Sequence, residues 1–149
     1  MNCDETNEII SKLKTCDKST PKFSLEGQYK LCKVVDIYDG DTCRVVFNHN
    51  GYIHKWNIRM NGYDTPEMRP SKLLPNRDEI KKKAKESKNY LKSIISNSED
   101  QLVYLKCGTF DKYGRLLGDM FINRDDTNSV NQLMIDKGYG YEYHGGTKK

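Results

Sequence analysis

Two turn signals divide residues 29–60 into three β-prone runs, which leaves an antiparallel meander as the simplest local fold. The first run, Tyr29-Lys30-Leu31-Cys32-Lys33-Val34-Val35-Asp36-Ile37-Tyr38, is rich in β-branched residues and partly alternates apolar with polar. Asp39-Gly40 offers a tight turn, and Thr42 to Phe47 reads as the returning strand. Asn48-His49-Asn50-Gly51 is a second turn signal, and Tyr52 to Met60 makes the third strand.

Pro66, Pro70 and Pro75 forbid regular structure over residues 61–76, which read as a loop. Asn76, with Glu79 three residues on, resembles the start of a capped helix. Ile80, Ala84, Leu91 and Ile95 fall on one face of that helix, which reaches about Ser96. Gln101 to Cys107 and Leu116 to Ile122 are two further strands joined by a turn at Asp111–Gly114. A short helix carrying Val130, Leu133, Met134 and Lys137 then ends at Gly138. The tail from Tyr139 to Lys149 is rich in tyrosine and glycine. Three strands, helix, two strands, helix fits an α+β chain: a five-stranded Greek-key barrel of the OB type with two or three helices.

Four polar clusters punctuate this order: Asp39-Gly40-Asp41-Thr42, Arg59, Asp64-Thr65-Pro66-Glu67 and Asp111-Lys112-Tyr113-Gly114-Arg115. Each has an ordinary explanation by itself. Asp39-Gly40 and Asp111–Gly114 are good turn sequences, Thr65-Pro66-Glu67 can end a strand, and a lone arginine at a strand end is usually surface. Their conjunction carries more weight. All lie at strand ends or loops, where a barrel places function. Asp41, Asp64 and Glu67 are carboxylates able to hold a hard cation and a water, and Arg59 and Arg115 are planar forks matched to phosphate oxygens. Cleaving a phosphodiester needs both kinds of group, because the phosphate repels hydroxide and its transition state gathers further negative charge.

In order and spacing these clusters resemble the staphylococcal-type nucleases, and the resemblance runs from about Tyr29 to Tyr143. It implies an OB-fold barrel over residues 29–149, with residues 1–28 as an N-terminal extension. It implies a calcium-dependent hydrolase cutting DNA and RNA with little sequence preference and leaving 5′-hydroxyl and 3′-phosphate ends. Asp41 and Asp64 would be carboxylate ligands of Ca2+, with the Thr65 carbonyl a third ligand. Glu67 would be the base or water-positioning group, and Arg59 and Arg115 would grip the phosphate. Lys112 and Tyr113 would touch the terminal phosphate of a bound nucleotide. Tyr139, Tyr141 and Tyr143 are candidates for lining a base pocket, with packing the alternative role. The chain stops soon after Tyr143, short of the long C-terminal helix of well-known members. Partners would be single-stranded or melted DNA and RNA, the protein acting as a monomer. The rival reading is a non-catalytic nucleic-acid-binding module that keeps the motifs as scaffold; a weaker one is a protein-interaction domain using the tyrosine-rich tail.

Composition agrees with a polyanion partner without identifying one. The 149 residues carry a net charge of +4, with 31% charged and 36% hydrophobic. Lys81, Lys82, Lys83, Lys85, Lys88 and Lys92 crowd the first predicted helix, most simply as a solvated face that adds positive field. No apolar run approaches the ~20 residues of a membrane helix. No secretory h-region is visible at the N-terminus, so an intracellular, reducing compartment is expected. Five cysteines without a C-x-x-C pair argue against a disulfide framework and a four-cysteine zinc site, and Cys32, Cys43 and Cys107 read as small buried hydrophobes. Within residues 1–28, Glu8 to Leu13 suits a short helical turn, and Phe23 and Leu25 are the plausible anchors to the core.

Overall fold

The structure, a computed structural model, describes residues 2–144. Residues 145–149, the end of the tyrosine- and glycine-rich tail, lie outside the described residues. Strands β1 (Tyr29–Asp39), β2 (Thr42–His49) and β3 (Tyr52–Met60) form the expected meander. Asn50 and Gly51 both take positive φ (53° and 87°), the geometry a two-residue hairpin needs to match strand twist. A two-residue β4 (Tyr63–Asp64) follows, then α2 (Arg77–Ser96), β5 (Leu102–Phe110), β6 (Leu116–Phe121), α3 (Val130–Asp136) and β7 (Tyr141–Glu142). Ahead of them all, α1 spans Cys3–Lys14.

The five long strands close into a barrel in the order β1-β2-β3-β6-β5. Closure is made by the parallel pairing of β3 with β6, Ile58 opposite Leu116 and Met60 opposite Gly118. The barrel is filled by alternate residues of each strand, among them Cys32, Cys43, Val45, Ile58, Met60, Val103, Leu105, Leu116 and Met120. Cys32, Cys43 and Cys107 are free thiols in this interior. Gly118 is small because Leu105 crosses it: a Cβ there would stand 2.6 Å from the Leu105 methyl.

Helix α2 packs against β1 and adds Leu91 and Ile95 to the core. Its buried face is Ala84, Ser87, Leu91 and Ile95, one residue every three or four, with Lys81, Lys82, Lys83, Lys85 and Lys92 exposed. Ile80, expected on that face, is only half-buried near the helix start. Asn76 stands at the N-cap position, but with φ −102° and ψ 27° its side chain caps nothing. The helix instead starts with Asp78 and Glu79 in its first turn, which suits the dipole. Helix α3 starts at a working cap, Ser129 accepting from Gln132 N, and ends where Gly138 takes φ +79°. There Gly138 N donates to Ile135 O and Tyr139 N to Met134 O, the paired bonds of a Schellman turn.

Two buried side chains set the path of the chain near the loops. Asn131 on α3 accepts from Met120 N and donates to Asn61 O and Gly118 O, so it ties β6 to the segment entering β4. Ser87 on α2 donates to Tyr139 O at 2.6 Å, fixing the start of the tail. Residues 61–76 are thus not all loop: Tyr63–Asp64 pairs with Tyr141–Glu142.

Before β1, Leu25 is fully buried in the core, and Gly27 N and Cys107 N exchange bonds with Cys107 O and Gln28 O. Phe23 is exposed but packs against His49 and Phe110. Helix α1 buries no residue.

Candidate active site

Three elements bring the polar clusters together at one end of the barrel. The β1–β2 turn carries Asp41, the end of β3 carries Arg59, and β4 with the residues after it carries Asp64 to Glu67. The turn can approach because residue 40 is glycine: a Cβ there would lie 2.8 Å from Ser87 Cβ and 2.9 Å from Thr65 Cγ2. Tyr63, fully buried, donates its hydroxyl to Gly40 O at 2.7 Å and locks β4 beneath the turn. Pairing of Thr42 with Arg59 across β2 and β3 puts the arginine beside Asp41.

Asp41 and Asp64 are only 5% and 4% exposed. They share one donor, the Thr65 N–H, at 3.2 Å to Asp41 Oδ2 and 2.9 Å to Asp64 Oδ1. Thr42 Oγ1 donates to Asp41 Oδ1 at 3.0 Å. Arg59 spans the pair, 3.5 Å from Nη1 to Asp41 and 3.5 Å from Nη2 to Asp64. Its Nη1 also donates to the carbonyls of Met60 (2.9 Å) and Tyr63 (2.8 Å). Burial pushes the Asp41 carboxyl up from its ordinary range, Asp39 beside it pushes the same way, and Arg59 pulls back only in part. This corner therefore holds an excess of carboxylate for which a cation is the natural complement. All its donors are oxygens, the set a hard divalent ion prefers.

Arg115 is placed by a different device. The turn Asp111–Arg115 closes with Gly114 at φ +80°, and Gly114 N donates to Asp111 O at 3.0 Å. Asp111 Oδ1 then accepts from Tyr113 N and Arg115 N, both at 2.9 Å, and Oδ2 accepts from Arg115 Nε at 2.7 Å. Burial would raise the Asp111 carboxyl, but these bonds from Arg115 and Tyr113 outweigh it and hold it below the usual range. Arg115 lies 5.3 Å from the Tyr113 ring centroid. Sequence reasoning gave Asp111 no role; its aim is at the guanidinium.

Asp41, Arg59, Asp64, Thr65, Glu67, Tyr113, Arg115 and Tyr143 all line one cleft of about 600 Å³. Glu67 is exposed on its rim. Lys112 and Tyr141 do not line it. Lys112 borders an adjoining hollow of about 340 Å³ shared with Tyr113, Arg115 and Tyr143. Tyr141 borders another, of about 550 Å³, between Pro66, Glu67 and the proline loop. Tyr139 stacks on Tyr90 at 4.3 Å, which is packing.

Over residues 57–148, more than half of the chain, the sequence matches the family described as staphylococcal nuclease homologue. The chain belongs to that family. No curated protein matches it. Family membership points to a nuclease-type or nucleic-acid-binding function. The matched span contains Arg59, Asp64, Thr65, Glu67, Lys112, Tyr113, Arg115, Tyr141 and Tyr143. Asp41 lies outside it, and the fold rather than the match brings that residue to Asp64. Among the described residues no group of three His, Cys, Asp or Glu side chains is arranged to hold a metal, and no helix is long and apolar enough to cross a membrane.

Among the described residues, four that the motifs did not single out also line the cleft: Tyr38, Arg44, Asn57 and Met68. A signal for two of them was present, since on alternating strands Arg44 shares the outward face with Thr42, and Asn57 with Arg59.

Proposed function

We propose that this family member is a calcium-dependent phosphodiesterase that hydrolyses single-stranded or melted DNA and RNA with little sequence preference. The observation that carries the reading is the convergence of Asp41, Asp64, Glu67, Arg59 and Arg115 on one cleft. Asp41, Asp64 and the Thr65 carbonyl would hold Ca2+, with water filling its remaining positions. When bound, the ion supplies Lewis-acid charge beside a phosphate oxygen.

The chain's own residues account for the rest. Water attacks phosphorus, Glu67 orients it and takes its proton, and the P–O5′ bond breaks. The departing oxygen gains a proton to become the 5′-hydroxyl, and the phosphate stays on the 3′ oxygen of the other product. Arg115 approaches from the hairpin with Nε spent on Asp111, so its terminal nitrogens are the ones for the phosphate. Arg59 acts from below as a charge already fixed by two carbonyls, which needs no reorganisation as the transition state forms. Lys112 and Tyr113 are assigned to the terminal phosphate of a bound nucleotide. Tyr143 is assigned to the base beside it, with Tyr141 at the neighbouring hollow.

We further assign residues 29–149 to the nuclease domain and 1–28 to an extension, the protein working as an intracellular monomer. The test is cleavage of labelled single-stranded DNA and RNA with calcium, without it, and with excess chelator. Cutting that requires calcium supports the proposal. Undiminished cutting in chelator removes the metal from it, and binding without cutting in calcium marks a binding module instead.

A further inference from the structure

The cleft extends past the phosphate-gripping groups onto the outer face of the meander, where the reading above leaves Tyr38, Arg44 and Asn57 unused. Their order follows from strand pairing. Tyr38 belongs to β1, Arg44 to β2, Asn57 and Arg59 to β3, and Arg115 stands at the start of β6, which pairs with β3. Three strand-to-strand steps at roughly 4.8 Å give about 14 Å between the Tyr38 end and the Tyr113 end. Asp41 and Arg59 lie between them. One aromatic end, Tyr113 with Tyr143, is already assigned. The other has an aromatic side chain of its own.

Tyr38 reaches the cleft through a backbone irregularity. The β1–β2 register shifts between Ile37 and Asp39, so Tyr38 is an extra residue between the pairs Ile37–Cys43 and Asp39–Thr42. A bulge of this kind bends the strand locally and can re-aim a side chain. Ile37 still packs against the core, while Tyr38 is 51% exposed in the cleft wall. Next to it Arg44 is pinned by its edge: Nη1 donates to Asp36 at 2.6 Å and Nε to Asn57 Oδ1 at 3.1 Å. A guanidinium held by its edge offers its flat face, and guanidinium planes and tyrosine rings are the surfaces on which unpaired bases stack. The nearby acids do not spoil this. Asp36 is paired with Arg44, and Asp39 turns an oxygen to Asp41 N at 3.2 Å.

We propose that Tyr38, backed by the edge-pinned Arg44, is a second base subsite, which takes the unpaired base on the side of the scissile phosphate opposite Tyr113 and Tyr143. The proposal rests on the phosphodiesterase reading for the position of that phosphate. It makes a dinucleotide the smallest fully bound substrate, and it requires single strands, because a base inside a duplex has no free face.

The experiment is binding of a short labelled oligothymidylate in chelator, by fluorescence anisotropy, with a single abasic residue moved along the strand. Wild-type protein should lose affinity at two separate abasic positions. Tyr38→Ala should weaken the intact strand about 10-fold, the scale of one stacked base. It should also erase one of the two abasic losses. Tyr38→Phe should behave as wild type, and so should Tyr52→Ala, a tyrosine 71% exposed outside the cleft. With calcium, Tyr38→Ala should raise KM about 10-fold and leave kcat within about twofold, as a uniform binding contact does. An unchanged abasic profile in folded Tyr38→Ala, or a loss in Tyr38→Phe equal to that of alanine, overturns the subsite. The two readings fail separately. A protein that shows the Tyr38-dependent abasic loss but cuts nothing keeps the subsite and loses the phosphodiesterase. A protein that cuts with an unaltered profile does the reverse, and one that neither binds an oligonucleotide in chelator nor cuts it in calcium overturns both.

Discussion

Asp64 and Glu67 stand three residues apart in the chain, yet Asp64 is buried at the cleft floor beside Arg59 while Glu67 is exposed on the rim. The floor is built from strand backbone and one tightly packed turn. Asp64 is in a strand pair, Arg59 ends β3, and Asp41 sits on a turn pressed against α2 through Gly40. The rim is built from turns: Glu67 follows Pro66 in the long loop, and Arg115 is aimed by its own hairpin through Asp111. On the proposed mechanism this division separates fixed charge, which a cation and a phosphate need waiting for them, from groups that must follow a moving proton or oxygen. It also means that floor substitutions should cost stability and activity together, whereas rim substitutions should cost activity with little stability.

The two arginines put that contrast to its hardest trial. Arg115→Ala should lower turnover roughly 10²-fold or more, as loss of a transition-state donor does, with little change in melting temperature. Arg59→Ala should lose as much activity and about 3 kcal/mol of stability besides, because it strands two buried carboxylates. Chemical denaturation beside single-turnover cleavage reads both. If Arg59→Ala proved as stable as wild type, the floor would not be a rigid part of the fold.

Gly40→Ala probes the floor without touching a polar group. Its Cβ would meet Ser87 Cβ at 2.8 Å and Ser87 backbone at 3.2 Å, so the turn must lift. The expected cost is about 1–3 kcal/mol, the range for overpacking, with activity falling as Asp41 shifts. Full activity at wild-type stability would show that the close approach is not what sets Asp41.

The smallest effect belongs to the rim, at Asp111. Its folded pKa lies below the ordinary value, so the charged form contributes stability above the unfolded pKa, and this is lost as pH falls through the folded one. Asp111→Asn should therefore be slightly less stable at neutral pH and lose less on acidification below about pH 4. It should also slow cleavage by loosening Arg115. Identical acid titrations of stability for the two proteins would show that Asp111 holds nothing.

Sequence carried the elements whose pattern is local. Alternation and the Asn50-Gly51 turn marked β1 to β3, the spacing of Ala84, Leu91 and Ile95 marked α2, and Gly138 marked the end of α3. It missed what depends on distant partners. Tyr63–Asp64 is too short to show a period, and its mate is Tyr141–Glu142 at the other end of the domain. Asn76 has the right side chain for a cap, but its backbone turns it away from the helix. At the N-terminus, by contrast, a local signal was present and under-read. Asn2 and Glu5 form a reciprocal capping box that starts a helix from Cys3, longer than the turn expected from Glu8. β5 runs on to Phe110 because β6 pairs with it there, which no propensity at Gly108 would favour. For the site, residue types and order sufficed to name the acids and arginines that share the cleft. The bulge that turns Tyr38 into it, and the hollows that hold Lys112 and Tyr141 apart from it, depend on three-dimensional packing.

If the rim carboxylate moves the proton while the floor binds, Glu67→Gln should separate the two. The substitution keeps size and hydrogen-bonding reach while removing charge and basicity. Single-turnover cleavage of a single-stranded oligonucleotide in calcium should fall about 10²-fold or more, the scale of a lost general base. Oligonucleotide affinity and melting temperature should match the wild type, since Asp41, Asp64, Arg59 and Arg115 are untouched. Unchanged cleavage by folded Glu67→Gln would remove the rim carboxylate from the proton transfer.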